Sequence, residues 1–122
     1  MTFYKCEICG KIIAMVKPTG VDTICCGQPM RELEAGTTDA AVEKHVPVCN
    51  VADNLAVVTV GSVAHPMLEA HYIEWIALET NLGCQVKALK AGDKPEASFA
   101  LLPGEKVVAA YEYCNLHGLL KS

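Results

Sequence analysis

The sequence predicts an all-β protein in which a small metal-binding unit, residues 1–36, precedes an antiparallel β-sandwich, residues 37–122. Three observations support this prediction: four cysteines fall within the first part of the chain, β-rich segments follow one another after it, and turn residues separate those segments. Several short strands with regular turn signals in roughly 85 residues favour two packed antiparallel sheets. A chain of 122 residues is too short for a large multidomain enzyme.

The composition narrows the range of functions. Hydrophobic residues make up 52% of the chain, so a well-packed core is expected. The net charge is -4 and no basic run is present, which argues against nucleic acid as a partner. No apolar run approaches the roughly 18 residues that span a membrane. The first residues lack the apolar stretch of a secretory signal, so a cytoplasmic location is expected.

The N-terminal unit contains Cys6 and Cys9 in a Cys-x-x-Cys pair and the adjacent Cys25 and Cys26, each pair followed by a glycine. Units below about 40 residues usually need a metal, disulfides or a partner subunit to fold. In a cytoplasmic protein with an odd number of cysteines, metal ligation is a better explanation than disulfides. Four thiolates suit zinc or a single iron, and the spacing leaves that choice open. The alternative is two pairs of buried thiols without a metal.

The sandwich is predicted from alternating and β-branched segments after a hinge at residues 34–39. Turn residues at 53–54, 81–83, 92–95 and 103–104 separate these segments. The predicted strands are residues 55–60, 72–78, 85–89, 98–102 and 107–114. The order of Cys49, Trp75 and Cys114 is that of an immunoglobulin domain, whose two cysteines form a disulfide. Their spacing is stretched and a secretory context is lacking, so we expect an immunoglobulin-like sandwich without that disulfide.

Two of the four histidines, His65 and His71, lie six residues apart. A helix would place them about 240° apart in rotation, and a strand would separate them by roughly 20 Å. Only a turn at residues 68–70 could bring the two rings together, and Pro66 favours extended backbone at His65. Such a turn would suit a shared metal ion.

Further candidate ligands lie on either side of this segment. His45 follows Glu43 and Lys44, while Cys114 and His117 have a spacing that lets one tight turn present both side chains to a single ion. A lone histidine in an apolar stretch is more often structural. Here, all four histidines fall in such segments, which favours a shared metal site.

Three segments carry a resemblance to a known family. Glu-Lys-His-Val-Pro at 43–47, His-Pro-Met-x-x-x-His-Tyr-Ile-x-Trp-Ile at 65–76 and Cys-Asn-Leu-His-Gly at 114–118 resemble the superoxide reductases. The N-terminal cysteine pairs are similar to those of a desulforedoxin domain, and the remainder is similar to neelaredoxin. Nearly all of the chain therefore resembles the desulfoferrodoxins, the two-iron members of this family.

The resemblance implies two iron ions per chain. Cys6, Cys9, Cys25 and Cys26 would hold one iron in an FeS4 centre. The other would have equatorial His45, His65, His71 and His117 and an axial Cys114 thiolate. This centre would reduce superoxide to hydrogen peroxide and be re-reduced by a donor such as rubredoxin. The resemblance also implies a homodimer.

Two residues next to His45 acquire roles from the same resemblance. Lys44 would attract superoxide and hydrogen-bond to the bound anion, against an unfavourable net charge. Glu43 would bind the oxidised iron as a sixth ligand. An isolated Glu-Lys pair would otherwise be interpreted as a solvated loop. Cys49 and Cys84 match no ligand pattern and are expected to be small buried hydrophobic residues.

A second hypothesis assigns no catalysis to the chain. The protein would then be an electron-transfer module, or an interaction module stapled by zinc, with its histidines on a binding sandwich.

Overall fold

The computed structural model describes residues 1–36, 45–61 and 65–122. It divides into two compact units, Met1–Glu34 and Ala35–Ser122. The predicted domain boundary, after Gly36, lies close to this division. No helix with the length and apolar character of a membrane span occurs within the described ranges.

The N-terminal unit is built on short antiparallel strands. Phe3, Met30 and Leu33 are buried together with Cys6 and form a very small core. A core of this size stabilises the unit weakly, which agrees with the need for a metal. One sheet has the order β2-β1-β5, and a separate hairpin joins β3 to β4. The strands are β1 (Thr2–Lys5), β2 (Ile12–Met15), β3 (Ile24–Cys25), β4 (Gln28–Pro29) and β5 (Arg31–Glu32).

The larger unit consists of two antiparallel sheets, as predicted. One has the strand order β10-β7-β6 and the other has the order β12-β11-β8-β9. Their strands are β6 (Pro47–Ala52), β7 (Leu55–Val60), β8 (Ile73–Thr80), β9 (Gly83–Ala88), β10 (Glu96–Ala100), β11 (Val107–Cys114) and β12 (Gly118–Lys121).

Both sheets contribute side chains to one hydrophobic core, which identifies the unit as a sandwich. β7 and β10 supply Val58 and Phe99, and β8 and β11 supply Ile76 and Ala110, all fully buried. On β7, buried and less buried residues alternate, as expected for a strand with one face on the core. Cys114 belongs to the same cluster, so the end of β11 carries a thiol into the apolar interior.

The predicted strands at residues 55–60 and 107–114 coincide with β7 and β11, and the other three overlap β8, β9 and β10 with small shifts at their ends. β6 and β12 have no counterpart among the predicted strands. β6 is mostly exposed and begins with Pro47, and β12 is only four residues long, so neither has a clear hydrophobic pattern. Ladder hydrogen bonds to β7 and β11 define them instead.

Two-residue turns join β6 to β7 and β8 to β9, where the sequence predicts turns. Asp53 has a φ of 54°, a conformation that Asp adopts more readily than most residues. Cys49 lies on β6 and Cys114 on β11, and both thiols are free. Trp75 stacks on Tyr113, with ring centroids 5.7 Å apart and ring planes 5° from parallel. The tryptophan therefore packs on an aromatic neighbour in the sheet instead of on a disulfide.

Candidate metal centres

The four cysteines of the N-terminal unit come together as one group. The sulfur atoms of Cys6, Cys9, Cys25 and Cys26 all lie within 4.8 Å of one another. Cys6 follows β1, and a turn closed by a 2.9 Å hydrogen bond from the Gly10 amide to the Cys6 carbonyl brings Cys9 back beside it. The structure therefore assembles the set that the spacing predicts.

A tight hairpin explains how the adjacent Cys25 and Cys26 reach the same point. Cys25 ends β3 and Gln28 begins β4, so Cys26 and Gly27 form a two-residue loop. Both loop residues have positive φ, 53° and 78°, as in the type I′ turns that suit two-residue hairpins. Positive φ at Cys26 changes the direction of the chain within one residue, so neighbouring side chains can converge. This conformation is unusual for a residue other than glycine and is not evident from the cysteine spacing.

The thiols of this group differ in acidity. The backbone amide of Cys9, 3.4 Å from the Cys6 sulfur, is the main reason that the pKa of Cys6 falls to about 6. Hydrogen bonds to Cys9 and Cys6 instead raise the pKa of Cys26 to about 12. Four thiolates at these distances repel one another unless a cation lies between them. The group therefore fits a thiophilic metal ion.

The second group lies at one end of the sandwich. Each of His45, His65, His71, Cys114 and His117 offers a ligand atom, and these atoms all lie within 4.8 Å of one another. His45 precedes β6, and His65 and His71 lie between β7 and β8. Cys114 ends β11, and His117 lies in the turn between β11 and β12. The structure thus brings together the four histidines and the cysteine that were predicted to hold the iron of the sandwich.

The four imidazoles form a closed ring of neighbours. The centroid distances are 4.7 Å from His45 to His65, 4.7 Å from His65 to His71, 5.1 Å from His71 to His117 and 4.1 Å from His117 to His45. His45 and His71 face each other across it at 6.0 Å, with planes 25° apart. Adjacent rings meet edge to face, at 65° to 79°. The rings therefore surround a common centre instead of stacking as a core.

His65 provides a direct test of whether a metal fits. Its Nδ1 atom lies 2.7 Å from the Pro66 carbonyl oxygen and donates to it in the neutral tautomer. Its Nε2 atom is buried and has no hydrogen-bond partner within the part of the chain that the structure describes. Burial also lowers the pKa of His65 to about 4, so the ring is neutral at pH 7. A buried lone pair of this kind is what a metal ion requires.

Cys114 supplies the sulfur of this group. Its side chain is fully buried, and its Sγ atom lies 3.7 Å from Nδ1 of His117. Burial raises the pKa of the thiol, while the backbone amides of Leu116 and His117 oppose this by hydrogen-bonding to the sulfur. A buried thiolate is costly without a nearby positive charge. A metal cation among the four rings would supply that charge.

The ligand residues of this group differ in exposure within the described part of the chain. His45 and His65 are buried, His71 is half-buried, and His117 is exposed. Among the described ligand residues, His117 is therefore the most accessible to solvent, whereas Cys114 lies in the apolar core.

Four other residues were singled out in the sequence: two charged residues next to His45 and two cysteines without a ligand pattern. Glu43 and Lys44 lie outside the described residues. Cys49 and Cys84 are partly buried in the sandwich, and burial raises the pKa of each thiol. Neither belongs to the two metal-binding groups found among the described residues. Cys49 packs against the hydrophobic core, but both side chains are only partly buried, so their role as small buried hydrophobic residues stays a prediction.

The comparisons with known proteins cover both units. Residues 37–122 match the family model described as desulfoferrodoxin, and residues 1–33 match the model of the desulfoferrodoxin N-terminal domain. The chain is 52% identical over 119 residues to desulfoferrodoxin of Nitratidesulfovibrio vulgaris, covering 98% of this chain and 93% of the relative. A desulfoferrodoxin homolog of Archaeoglobus fulgidus is 48% identical over 122 residues, covering 100% and 96%.

A solved structure matches the whole chain as well. The superoxide reductase of Treponema pallidum superposes with a TM-score of 0.85 at 38% identity, covering 99% of this chain and 95% of that one. The similarity therefore extends over both metal-binding groups.

Proposed function

The chain belongs to the desulfoferrodoxin family, and we propose that it is a superoxide reductase that converts superoxide to hydrogen peroxide. The observation that carries the proposal is the closed ring of four histidines with the buried Cys114 thiol beside it. Each turnover consumes one superoxide, one electron and two protons, and releases one hydrogen peroxide. No O2 is formed, which distinguishes the reaction from dismutation.

The five side chains of the sandwich are proposed to hold the catalytic iron. His45, His65, His71 and His117 would supply neutral nitrogen ligands, and Cys114 would supply a thiolate. When bound, ferrous iron supplies the electron for superoxide, and thiolate ligation favours its donation. The buried rings of His45 and His65 exclude water from the inner side of the site. The exposed side at His117 admits the anion and the solvent that provides protons.

Lys44 and Glu43 are proposed to act beside the ligand His45. The protein carries a net charge of -4, so a negatively charged substrate gains from a local cation at the entrance. Lys44 would supply this charge and a hydrogen bond to the bound anion. Glu43 would provide a carboxylate oxygen as a sixth ligand in the oxidised protein. The support for both roles is the Glu-Lys-His segment at 43–45.

Cys6, Cys9, Cys25 and Cys26 are proposed to hold a second iron, which gives two iron ions per chain. A small electron donor such as rubredoxin would then re-reduce the catalytic centre. Leu68 and Leu116, which are 68% and 62% exposed on the two turns that carry ligands, support docking of such a protein near the centre. These side chains offer apolar contact area at the site where the electron must arrive.

We also propose that the protein is a homodimer and that it is located in the cytoplasm. There it would act in electron transport and in the detoxification of superoxide. The N-terminal unit exposes large apolar side chains at Ile8, Val16, Val21 and Ile24. Such exposure favours association with a second copy. Sedimentation of the iron-loaded protein would test the dimer directly.

Anaerobic purification followed by metal analysis and pulse radiolysis tests the function. We expect two iron ions per chain and consumption of superoxide without release of O2. Release of O2 in the ratio of dismutation, or absence of iron from the histidine-cysteine centre, would contradict it. The latter result would favour the zinc-stapled interaction module instead.

A further inference from the structure

Asn115 lies in the β11–β12 turn, directly after Cys114, and its side chain reaches the segment that carries His71. Its Oδ1 atom accepts a 2.9 Å hydrogen bond from the backbone amide of Tyr72. Its Nδ2 atom donates a 3.1 Å hydrogen bond to the backbone carbonyl of Ala70. The backbone amide of Asn115 also donates to the Tyr72 carbonyl, at 3.2 Å.

These contacts place the carboxamide on both sides of His71. Ala70 and Tyr72 are its immediate neighbours, and they are 45 and 43 residues away from Asn115 in the chain. The contacts therefore differ from the local turns and caps that asparagine side chains commonly form. They link two turns that the sequence keeps far apart.

Asn115 lies directly after the end of the β8–β11 ladder, which explains why a side chain is needed to supply the next hydrogen bonds. The register shifts between Tyr113 and Cys114, and the last backbone pair of the two strands joins Cys114 to Ile73. Beyond this pair, the Asn115 carboxamide occupies the place of a peptide group, with one acceptor and one donor. It extends the connection by one rung, to the level of His71.

We propose that Asn115 is a positioning residue of the histidine-cysteine metal centre, holding His71 at the correct distance from Cys114 and His117. The proposal deepens the function proposed above and presupposes iron in this centre. The ring of His71 is 5.1 Å from that of His117, and each lies on a different turn. The Asn115 carboxamide joins the β11–β12 turn, which carries His117, to the segment that carries His71. Without it, the two turns could separate and the ligand set would lose its fixed spacing.

The residue type agrees with this role. Alanine would provide neither hydrogen bond, and aspartate would replace the donor to Ala70 by a second acceptor. Glutamine keeps the amide and the charge but adds a methylene, so its two polar atoms would no longer match both partners. Loss of an outer-shell partner of a metal ligand typically lowers metal affinity about 10- to 100-fold.

Asn81 offers a matched control at the opposite end of the same strand pair. Its Oδ1 atom accepts a 2.8 Å hydrogen bond from the Lys106 amide, and its own amide donates to the Lys106 carbonyl at 3.0 Å. Asn115 and Asn81 therefore share this pair of contacts across the ends of β8 and β11, but only Asn115 also bonds to Ala70 and lies next to metal ligands. If the role of Asn115 were purely structural, replacing either asparagine by alanine would change the metal affinity of the histidine-cysteine centre alike.

The test compares Asn115→Ala, Asn115→Gln and Asn81→Ala in the full-length protein. Ferrous iron affinity of each centre is measured anaerobically by competition with a chelator, and unfolding is followed by urea denaturation. We expect affinity of the histidine-cysteine centre to fall about 10- to 100-fold in both Asn115 variants and to stay unchanged in Asn81→Ala. The ferric electron paramagnetic resonance signal of that centre should change with it. The four-cysteine centre should be unaffected.

Each outcome has a definite meaning. Native affinity in a folded Asn115→Gln variant would overturn the proposal, as would an equal loss of affinity in Asn81→Ala. If Asn115→Ala does not fold, the glutamine variant decides. Failure of the wild-type protein to bind iron in this centre would contradict the proposed function instead, so the two results are distinguishable.

Discussion

Leu68 and His71 exchange two backbone hydrogen bonds of 2.9 Å each, and this pair closes the turn at residues 69–70. The turn brings the ring of His71 to 4.7 Å from that of His65, although six residues separate them. The sulfur of Met67 accepts a hydrogen bond from the Ile73 amide at 3.4 Å, which anchors the turn to the start of β8. Two ligands thus come from one short, internally bonded segment.

The thiolate of Cys114 is expected to be essential for iron binding and for catalysis. Cys114→Ser replaces a soft ligand with a hydroxyl group that stays protonated at neutral pH. Superoxide reduction measured by pulse radiolysis should fall by more than about 100-fold, because even an outer-shell loss costs about 10- to 100-fold. Cys84→Ser, at a partly buried thiol of the sandwich outside both metal-binding groups, should keep both iron and activity. Unchanged superoxide consumption in Cys114→Ser would rule out the thiolate mechanism.

Lys44→Ala should slow the second-order reaction with superoxide by about 10-fold at low salt and flatten its dependence on ionic strength. The reason is loss of the cation that attracts the anion. Rates measured between low and high salt test this, and Lys44→Arg should retain the effect. Lys106→Ala makes the same change in net charge at the start of β11, about 25 Å along the strand from Cys114. An identical salt dependence in the two alanine variants would exclude local steering by Lys44.

The left-handed turn at Gly27 should matter to the four-cysteine centre. Gly27→Ala places a Cβ in open space but on a residue with a φ of 78°, which costs about 1 kcal/mol. We expect faster loss of metal from this centre to a chelator, followed by its visible absorption. Gly104→Ala is a suitable control, because its φ is 82° and its Cβ would also meet open space. It should cost similar stability without affecting the metal, and equal metal loss would contradict the prediction.

Stability at alkaline pH should depend on Tyr111. Burial and a 2.9 Å hydrogen bond to Glu79 raise its pKa to about 12, above the ordinary value of 10.0. The stabilising contribution is complete below pH 10 and declines towards pH 12, because the unfolded chain loses the phenolic proton first. Urea denaturation from pH 8 upwards should show a smaller decline above pH 10 in Tyr111→Phe than in the wild type. Tyr4→Phe controls for loss of a tyrosine hydroxyl, and parallel curves for Tyr111→Phe and the wild type would contradict the assignment.

Local sequence patterns were sufficient to predict many of the strands, turns and candidate metal ligands of this protein. The strand at residues 55–60 followed from its β-branched composition, and the turn between His65 and His71 followed from the geometry of regular elements. The nine cysteine and histidine ligand candidates followed from ligand chemistry and from a resemblance extending over nearly the whole chain. These features depend on residues close together in sequence, so periodicity and turn propensity report them directly.

Contacts between residues far apart in the sequence could be identified only from the folded structure. Which histidines are neighbours and which face each other depends on how three separate segments meet, and no spacing within one segment encodes that. The left-handed conformation of Cys26 arises from the pairing of β3 with β4. The contacts of Asn115 with Ala70 and Tyr72 depend on the register of β8 against β11. Cross-strand register is set by packing of the whole sandwich, so the sequence identified the ligands whereas tertiary contacts arranged them around a common centre.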